Sequence, residues 1–322
     1  MKSKESGHCF YGRLSRWIPA APLLLMGVLA SDLADAQTGV VSVLPDADTF
    51  VRSMAPTDNF GGAGALSVSG SAAVNGSGQP NGLFDTLIRF PMSNVVAALD
   101  STLGAGNWLV IKSRLIVNEI AMPDNDIFNQ GVGAFEIFWL ASDAWIEGTG
   151  TPKGPTSDGV TWNDLPGTVN PNLDVSLGVF TNSGVDGEIS FTLALADPLV
   201  AGIRRGADVN LHLTAARPEV GFTFNSRNFG NTNDQPVLEV TAVVNPEPRI
   251  GAIIASGGQV SISFQAVSNW IYRLQAAQAL TPVGPGDWID LLVVPAQPTS
   301  TNVLYQDAAT NQTRFYRLSV SP

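Results

Sequence analysis

One cysteine, Cys9, is all the thiol chemistry in 322 residues. It lies within the first 36 residues, ahead of a short apolar run. Neither a disulfide framework nor a Cys nucleophile nor a lipid anchor on that residue is therefore available to the rest of the chain. Histidine is almost as scarce, since beyond residue 36 there is only His212. A His-based zinc site needs more nitrogen or sulfur ligands than that. A Ser/His/Asp triad would have to use His212, and no Gly-x-Ser-x-Gly elbow presents a serine. Tyrosine is absent between residues 37 and 245, which removes Tyr/His proton abstraction of the polysaccharide-lyase type from that stretch. Retaining or inverting glycoside hydrolysis needs only two carboxylates, so the acids leave that chemistry open.

Charge is also sparse, at 14% of residues against a usual ~25%. No apolar run approaches the ~20 residues that cross a bilayer as a helix. What is plentiful is hydrophobic residues (44%), 32 Gly and 21 Pro, the composition of a loop-rich, globular all-β protein rather than a disordered or collagenous one. Lys2, Lys4, Arg13 and Arg16 precede the apolar stretch Ile18 to Ala30, which ends near Ala34 and Ala36. That is the pattern of a secretory signal peptide over residues 1–36, cleaved before Gln37 to leave an extracellular or cell-surface protein.

Residues 37–245 carry 21 Asp/Glu and 9 Lys/Arg, whereas 246–322 carry 4 of each. The acidic field of the first part opposes nucleic acid and anionic lipid, and no basic run offsets it, so neither nucleic acid nor membrane insertion is expected. Pro246 and Pro248 mark a stiff, extended boundary. Short β-branched and aromatic runs recur between turn residues, with no helical period of useful length. Leu109, Ile111, Leu115 and Val117 alternate with Lys112, Arg114 and Asn118; Phe191, Leu193 and Leu195 alternate with Ser190, Thr192 and Ala194. Val209, Leu211 and Leu213 alternate in the same way with Asn210, His212 and Thr214. These read as strands with one wet face, and Asp197 to Gly206 as one or two helical turns. The expected architecture is a β-sandwich over 37–245 and a small β-module over 246–322.

Several short motifs follow one another in a fixed order: Asp46 to Arg52, Asn59-Phe60-Gly61-Gly62, Leu87-Ile88-Arg89-Phe90, Trp145 with Glu147, Val160-Thr161-Trp162-Asn163, and Ser226-Arg227 ahead of Pro236 to Val240. From about Val41 to Val244 the chain resembles DNRLRE domains and the carbohydrate-binding modules grouped as family 96. Asn228 stands where members of that family usually have an acidic residue. The resemblance implies a jelly-roll sandwich that binds extracellular polysaccharide such as alginate, with other secreted carbohydrate-active proteins as partners. The tail, with Asn269 to Leu274, Trp288, Asp307 and Arg314 to Leu318, resembles the small immunoglobulin-like C-terminal modules of secreted verrucomicrobial proteins, which implies no activity.

Three functions follow as expectations. The first is a non-catalytic polysaccharide-binding protein. The second is a structural or adhesive surface protein without glycan specificity, and the third a carboxylate-based carbohydrate-active enzyme. For the first, the sugar contacts are expected on the polar strand face of Lys112, Arg114 and Asn118, joined by Asn210 and His212 if their strand shares that sheet. Ion pairing to nearby acids is the alternative role for the guanidinium groups. Trp108 and Phe60 border loops and are candidates for stacking on sugar, whereas Trp139, Trp145 and Trp162 read as core. One structural calcium is expected at Asp46 and Asp48 or at Asp124, Asn125 and Asp126, although Asp-Asn-Asp is also ordinary turn chemistry.

Overall fold

The computed structural model describes residues 38–121, 131–245, 248–268, 270–278, 288–308 and 313–321. These residues form two compact units that divide between Val243 and Val244. Both are antiparallel β-sandwiches, the all-β class that the strand patterning predicts.

In the first unit β1 (Thr38–Val43), β11 (Val237–Val244), β5 (Trp108–Glu119) and β8 (Gly187–Leu193) make one wall. The other wall holds β2 (Ala47–Arg52), β4 (Phe84–Phe90), β9 (Val209–Ala215), β6 (Ala134–Trp139) and β7 (Val175–Thr181). The ladder of β3 (Ala65–Ser69) with β10 (Gly221–Asn225) joins them through the pairs Ser69↔Phe84 and Phe224↔Glu119. Large apolar side chains fill the space between the walls. Phe135 of β6, Phe191 of β8 and Phe222 of β10 meet ring to ring, with centroids 4.9 to 6.1 Å apart and two of the three contacts edge-on. That geometry suits the aromatic quadrupole and fixes the spacing of the walls.

Two details depart from the sequence reading. In β5 the alternation breaks at Ile111 and Lys112, which both face outward, so Ile111 is 42% exposed while Leu115 and Val117 remain fully buried. A helix, α1 (Ser93–Leu103), also appears where no helical period was expected. Val95, Leu99 and Leu103, four residues apart, form its buried face. That face packs on β1 because Gly39 has no side chain: a Cβ there would lie 3.1 Å from Leu99. After the four-residue α2 (Leu165–Thr168), the expected turns at Asp197 form α3 (Asp197–Arg205), which has Pro near its start and ends at Gly206 in the left-handed conformation.

The second unit pairs β12 (Ile250–Ser256), β13 (Gln259–Ala266) and β16 (Thr301–Ala308) in one sheet and β15 (Ile289–Val294), β14 (Ile271–Ala277) and β17 (Phe315–Ser321) in the other. Gly257 and Gly258, both at positive φ, make the tight β12–β13 hairpin that only such residues allow without strain. Phe264 and Tyr272 stack across the two sheets at 6.0 Å.

Candidate functional site

The outer face of the wall containing β5 carries a row of exposed and half-exposed side chains. Lys112, Arg114, Ile116 and Asn118 point outward from that strand. The register with β8 sets Thr192 beside Arg114, Ser190 beside Ile116 and Glu188 beside Asn118. On the far side Arg114 gives two hydrogen bonds, 2.9 and 2.6 Å, to one oxygen of Glu239 on β11, and Glu239 itself pairs with Ser42 on β1. The ion-pair role is thus the one Arg114 fills. Lys112 is exposed and makes no ion pair or hydrogen bond among the described residues. The result is a strip of hydroxyls, amides and charges of both signs.

Asn210 and His212 do not join this strip. Their strand, β9, belongs to the other wall, separated from β5 by β10, β3 and β4 in the order of pairing. Nor is their face wet, as Asn210 is 2% and His212 5% exposed. The reason is distant in sequence: Leu140, Trp145 and Val160, backed by Trp162, Leu165 and Val169, pack over Ala47, Val51 and Leu87 on the same outer face. Most of the polar groups inside that cover find partners, as buried polar groups usually do, although His212 Nδ1 has none among the described residues. Trp145 Nε1 donates to Asn210 Oδ1 at 2.9 Å, and His212 Nε2 lies 2.9 Å from Asp85 Oδ2, whose other oxygen accepts from Thr214 Oγ1 at 2.8 Å.

The expected stacking platforms are core residues as well. Trp108 is 2% exposed and donates to Asp100 at 2.7 Å, and Phe60 is 3% exposed and stacks on Phe50 at 4.7 Å.

Asp46 and Asp48 are drawn to different donors rather than to a shared oxygen cage. Asp46 accepts from Arg89 Nε at 2.8 Å, and that guanidinium lies over the Trp145 ring. Asp48 is fully buried and accepts from the Arg227 backbone N–H at 2.6 Å. The two carboxylates are thus not gathered with each other into one set of converging oxygens, the arrangement a calcium ion uses. Asp124 and Asp126 lie outside the described residues. Among the described residues no three His, Cys, Asp or Glu side chains gather as a metal site.

What Asp48 does belong to is a knot of the sequence motifs. Glu147 accepts from the Asp48 N–H at 3.1 Å and from Arg227 Nη1 through both oxygens at 3.0 and 2.9 Å. Asn59 and Asn228 close the knot, Asn228 Nδ2 donating to Gly61 O at 2.7 Å. Burial pushes the Asp48 carboxyl up to about 8, with the Glu147 charge adding to the rise and the Arg227 N–H and charge opposing it. Motif order in the sequence carries the signal for this cluster, but nothing local marks Asp48 as dry and Asp46 as exposed.

No family profile matches the chain, and no curated protein matches it. Among solved structures it is similar to a putative β-galactosidase from Bacteroides fragilis, with 7% identity and a TM-score of 0.23 over 88% of this chain and 35% of that one. The Macrobrachium rosenbergii nodavirus structure gives 9% identity and a TM-score of 0.21 over 96% of each chain. The glycoside hydrolase domain of Endo-D from Streptococcus pneumoniae R6 gives 10% and 0.15 over 88% and 34%. The chain thus spans about a third of the length of the two sugar-enzyme structures. Scores this low leave its function to its own geometry.

Proposed function

We propose that this is a secreted, non-catalytic protein that binds acidic polysaccharide along the outer face of the β5 wall. The observation that supports this reading is Lys112, an exposed cation without a partner among the described residues, set in a strip of hydroxyls and amides from Thr192, Ser190 and Asn118 that ends at Glu188. Residues two apart on a strand are ~6.6 Å apart, close to a sugar repeat, so donors along β5 and β8 meet successive rings. Two groups with acid–base chemistry lie out of a sugar's reach. Asp48 has the raised pKa that a general acid needs, yet its side chain is sealed at 0% exposure and no glycosidic oxygen reaches it. His212 is equally enclosed.

Contacts of this open kind net only ~0.5 to 1.5 kcal/mol each, and ~1.5 to 3 where one group is charged. Lys112→Ala is therefore expected to weaken binding of a uronate polymer about tenfold, measured by calorimetric titration of the chain lacking residues 1–36. Neutral glucans should bind less, and 0.5 M salt should remove much of the difference by screening (Debye length ~4 Å). Arg114→Ala acts mainly on stability, because it frees Glu239. Full retention of affinity in Lys112→Ala would move the site off this face.

The same reading requires export. N-terminal sequencing of secreted protein is expected to begin at Gln37, and recovery only of membrane-held chain with residues 1–36 intact would contradict it.

A further inference from the structure

The second unit has a polar row of its own that the reading above does not use. It lies on the outer face of the sheet β15-β14-β17, where Gln275 on β14 stands opposite Arg317 on β17, and Arg273 opposite Ser319. Arg273 and Arg317 are therefore diagonal neighbours, ~7 to 8 Å apart. The groups between them are ordered by complementarity. Asp290 accepts from Arg273 Nη1 at 3.0 Å and from Gln275 Nε2 at 2.6 Å, and the oxygen of the same Gln275 amide accepts from Arg317 Nε at 2.6 Å. Arg317 also lies over the Trp288 ring at 4.3 Å.

That arrangement has a chemical meaning. Among the described residues the two guanidiniums share the one carboxylate of Asp290, which is bonded to Arg273 and feels the charge of Arg317 as well, so the row keeps a net positive charge. Trp288, itself 8% exposed, and Gln275 hold the Arg317 guanidinium in one plane while both its Nη groups have no partner among the described residues. A guanidinium immobilised on an aromatic face with a free two-pronged edge is pre-organised for a carboxylate, because the planar fork matches it and little side-chain freedom remains to be lost.

We infer that this face of the second unit is a binding site for the carboxylates of an acidic polysaccharide, with Arg317 as the anchor and Arg273 as its flanking contact. The polymer is favoured over an acidic peptide by the hydroxyls of Ser319 and Ser321, which the pairing with Arg273 and Ile271 places on the same face. Sugar hydroxyls have partners there. The inference does not depend on Lys112, since the two sites lie in separate units.

The test uses the chain lacking residues 1–36, titrated with a polyuronate, a neutral glucan and poly-L-glutamate, in the wild type and in Arg317→Gln, Arg273→Gln and Lys112→Ala. Arg317→Gln and Arg273→Gln are each expected to weaken polyuronate binding roughly tenfold. Arg273→Gln leaves the Trp288 seat of Arg317 intact, so it separates lost contact from a disturbed sheet, and the near-ultraviolet circular dichroism of the tryptophans checks the fold. Unchanged polyuronate affinity in Arg273→Gln and in folded Arg317→Gln would overturn the inference. So would equal or stronger binding of poly-L-glutamate, which would make the face a peptide-docking surface. If Lys112→Ala alone loses affinity, the second-unit site is wrong and the β5 face stands; if the arginine variants alone lose it, the reverse holds.

Discussion

Asp48→Asn is expected to abolish a large pH dependence of stability and to make the protein more stable than the wild type above neutral pH. In the folded chain burial holds the Asp48 carboxyl at about 8, well above its ordinary 3.8. As pH rises past about 4 the unfolded chain releases this proton while the folded chain keeps it. The stability tied to Asp48 is thus complete below about pH 4 and drains away until about pH 8, where the folded carboxyl ionises too. At ~1.36 kcal/mol per pH unit, roughly 4 kcal/mol separates pH 4 from pH 7. Asparagine is an uncharged stand-in of the same shape and can still accept from the Arg227 N–H. The measurement is the difference in unfolding free energy between wild type and Asp48→Asn from pH 4 to 9, since the other carboxylates cancel in it. A difference that does not vary with pH would show that Asp48 is ionised in the fold, neutralised by Arg227 more strongly than burial disfavours it.

The second large effect is expected at Asn59, which is fully buried and joins four backbone groups with one side chain. Its Nδ2 donates to the carbonyls of Glu147 at 2.6 Å and Val160 at 3.0 Å, and its Oδ1 accepts from the N–H groups of Gly61 at 3.0 Å and Gly150 at 3.2 Å. Glycines make the space for this. A Cβ on Gly148 would lie 2.3 Å from Asn59 Oδ1 and one on Gly159 2.5 Å from its Nδ2. Asn59→Ala strands two carbonyls and two amides without water, at ~1 to 3 kcal/mol for each group left unpaired. A loss of about 4 kcal/mol, or about 10 °C in melting temperature, is the expected outcome by calorimetry. A loss below ~1 kcal/mol would mean that solvent enters and replaces the amide.

The contrast between these residues and the surface strip shows where local pattern suffices. The alternation of Phe191 and Leu193, and of Val209, Leu211 and Leu213, is a property of neighbouring residues and marks the side chains that face the core, whereas Leu195, read in the same stripe, lies past the end of β8 and is 38% exposed. Whether the opposite face is wet is not local. Asn210 and His212 read as exposed, yet the chain from Leu140 to Val169 returns over them. The partner of Arg114, Glu239, is 125 residues away, and nothing near Arg114 marks it. Trp108 and Phe60 border loops but turn inward. In α1 the three apolar contacts sit four apart in a segment that also holds Val96, Ala97 and Ala98, so no clean stripe stands out in an 11-residue helix. The row of Arg273, Gln275, Asp290 and Arg317 depends on cross-strand register and on rotamers, which spacing along one strand does not reveal.

The central claim, that the open face of the β5 wall binds an acidic polysaccharide, is tested most directly by affinity electrophoresis of the chain lacking residues 1–36 through gels containing a polyuronate or a neutral glucan. The wild type is run beside Lys112→Ala, with Lys153→Ala, an exposed lysine outside both rows, as the control. The expected result is retardation by the polyuronate that Lys112→Ala largely relieves and that weakens with added salt. Unretarded migration of the folded wild type in every gel would contradict it.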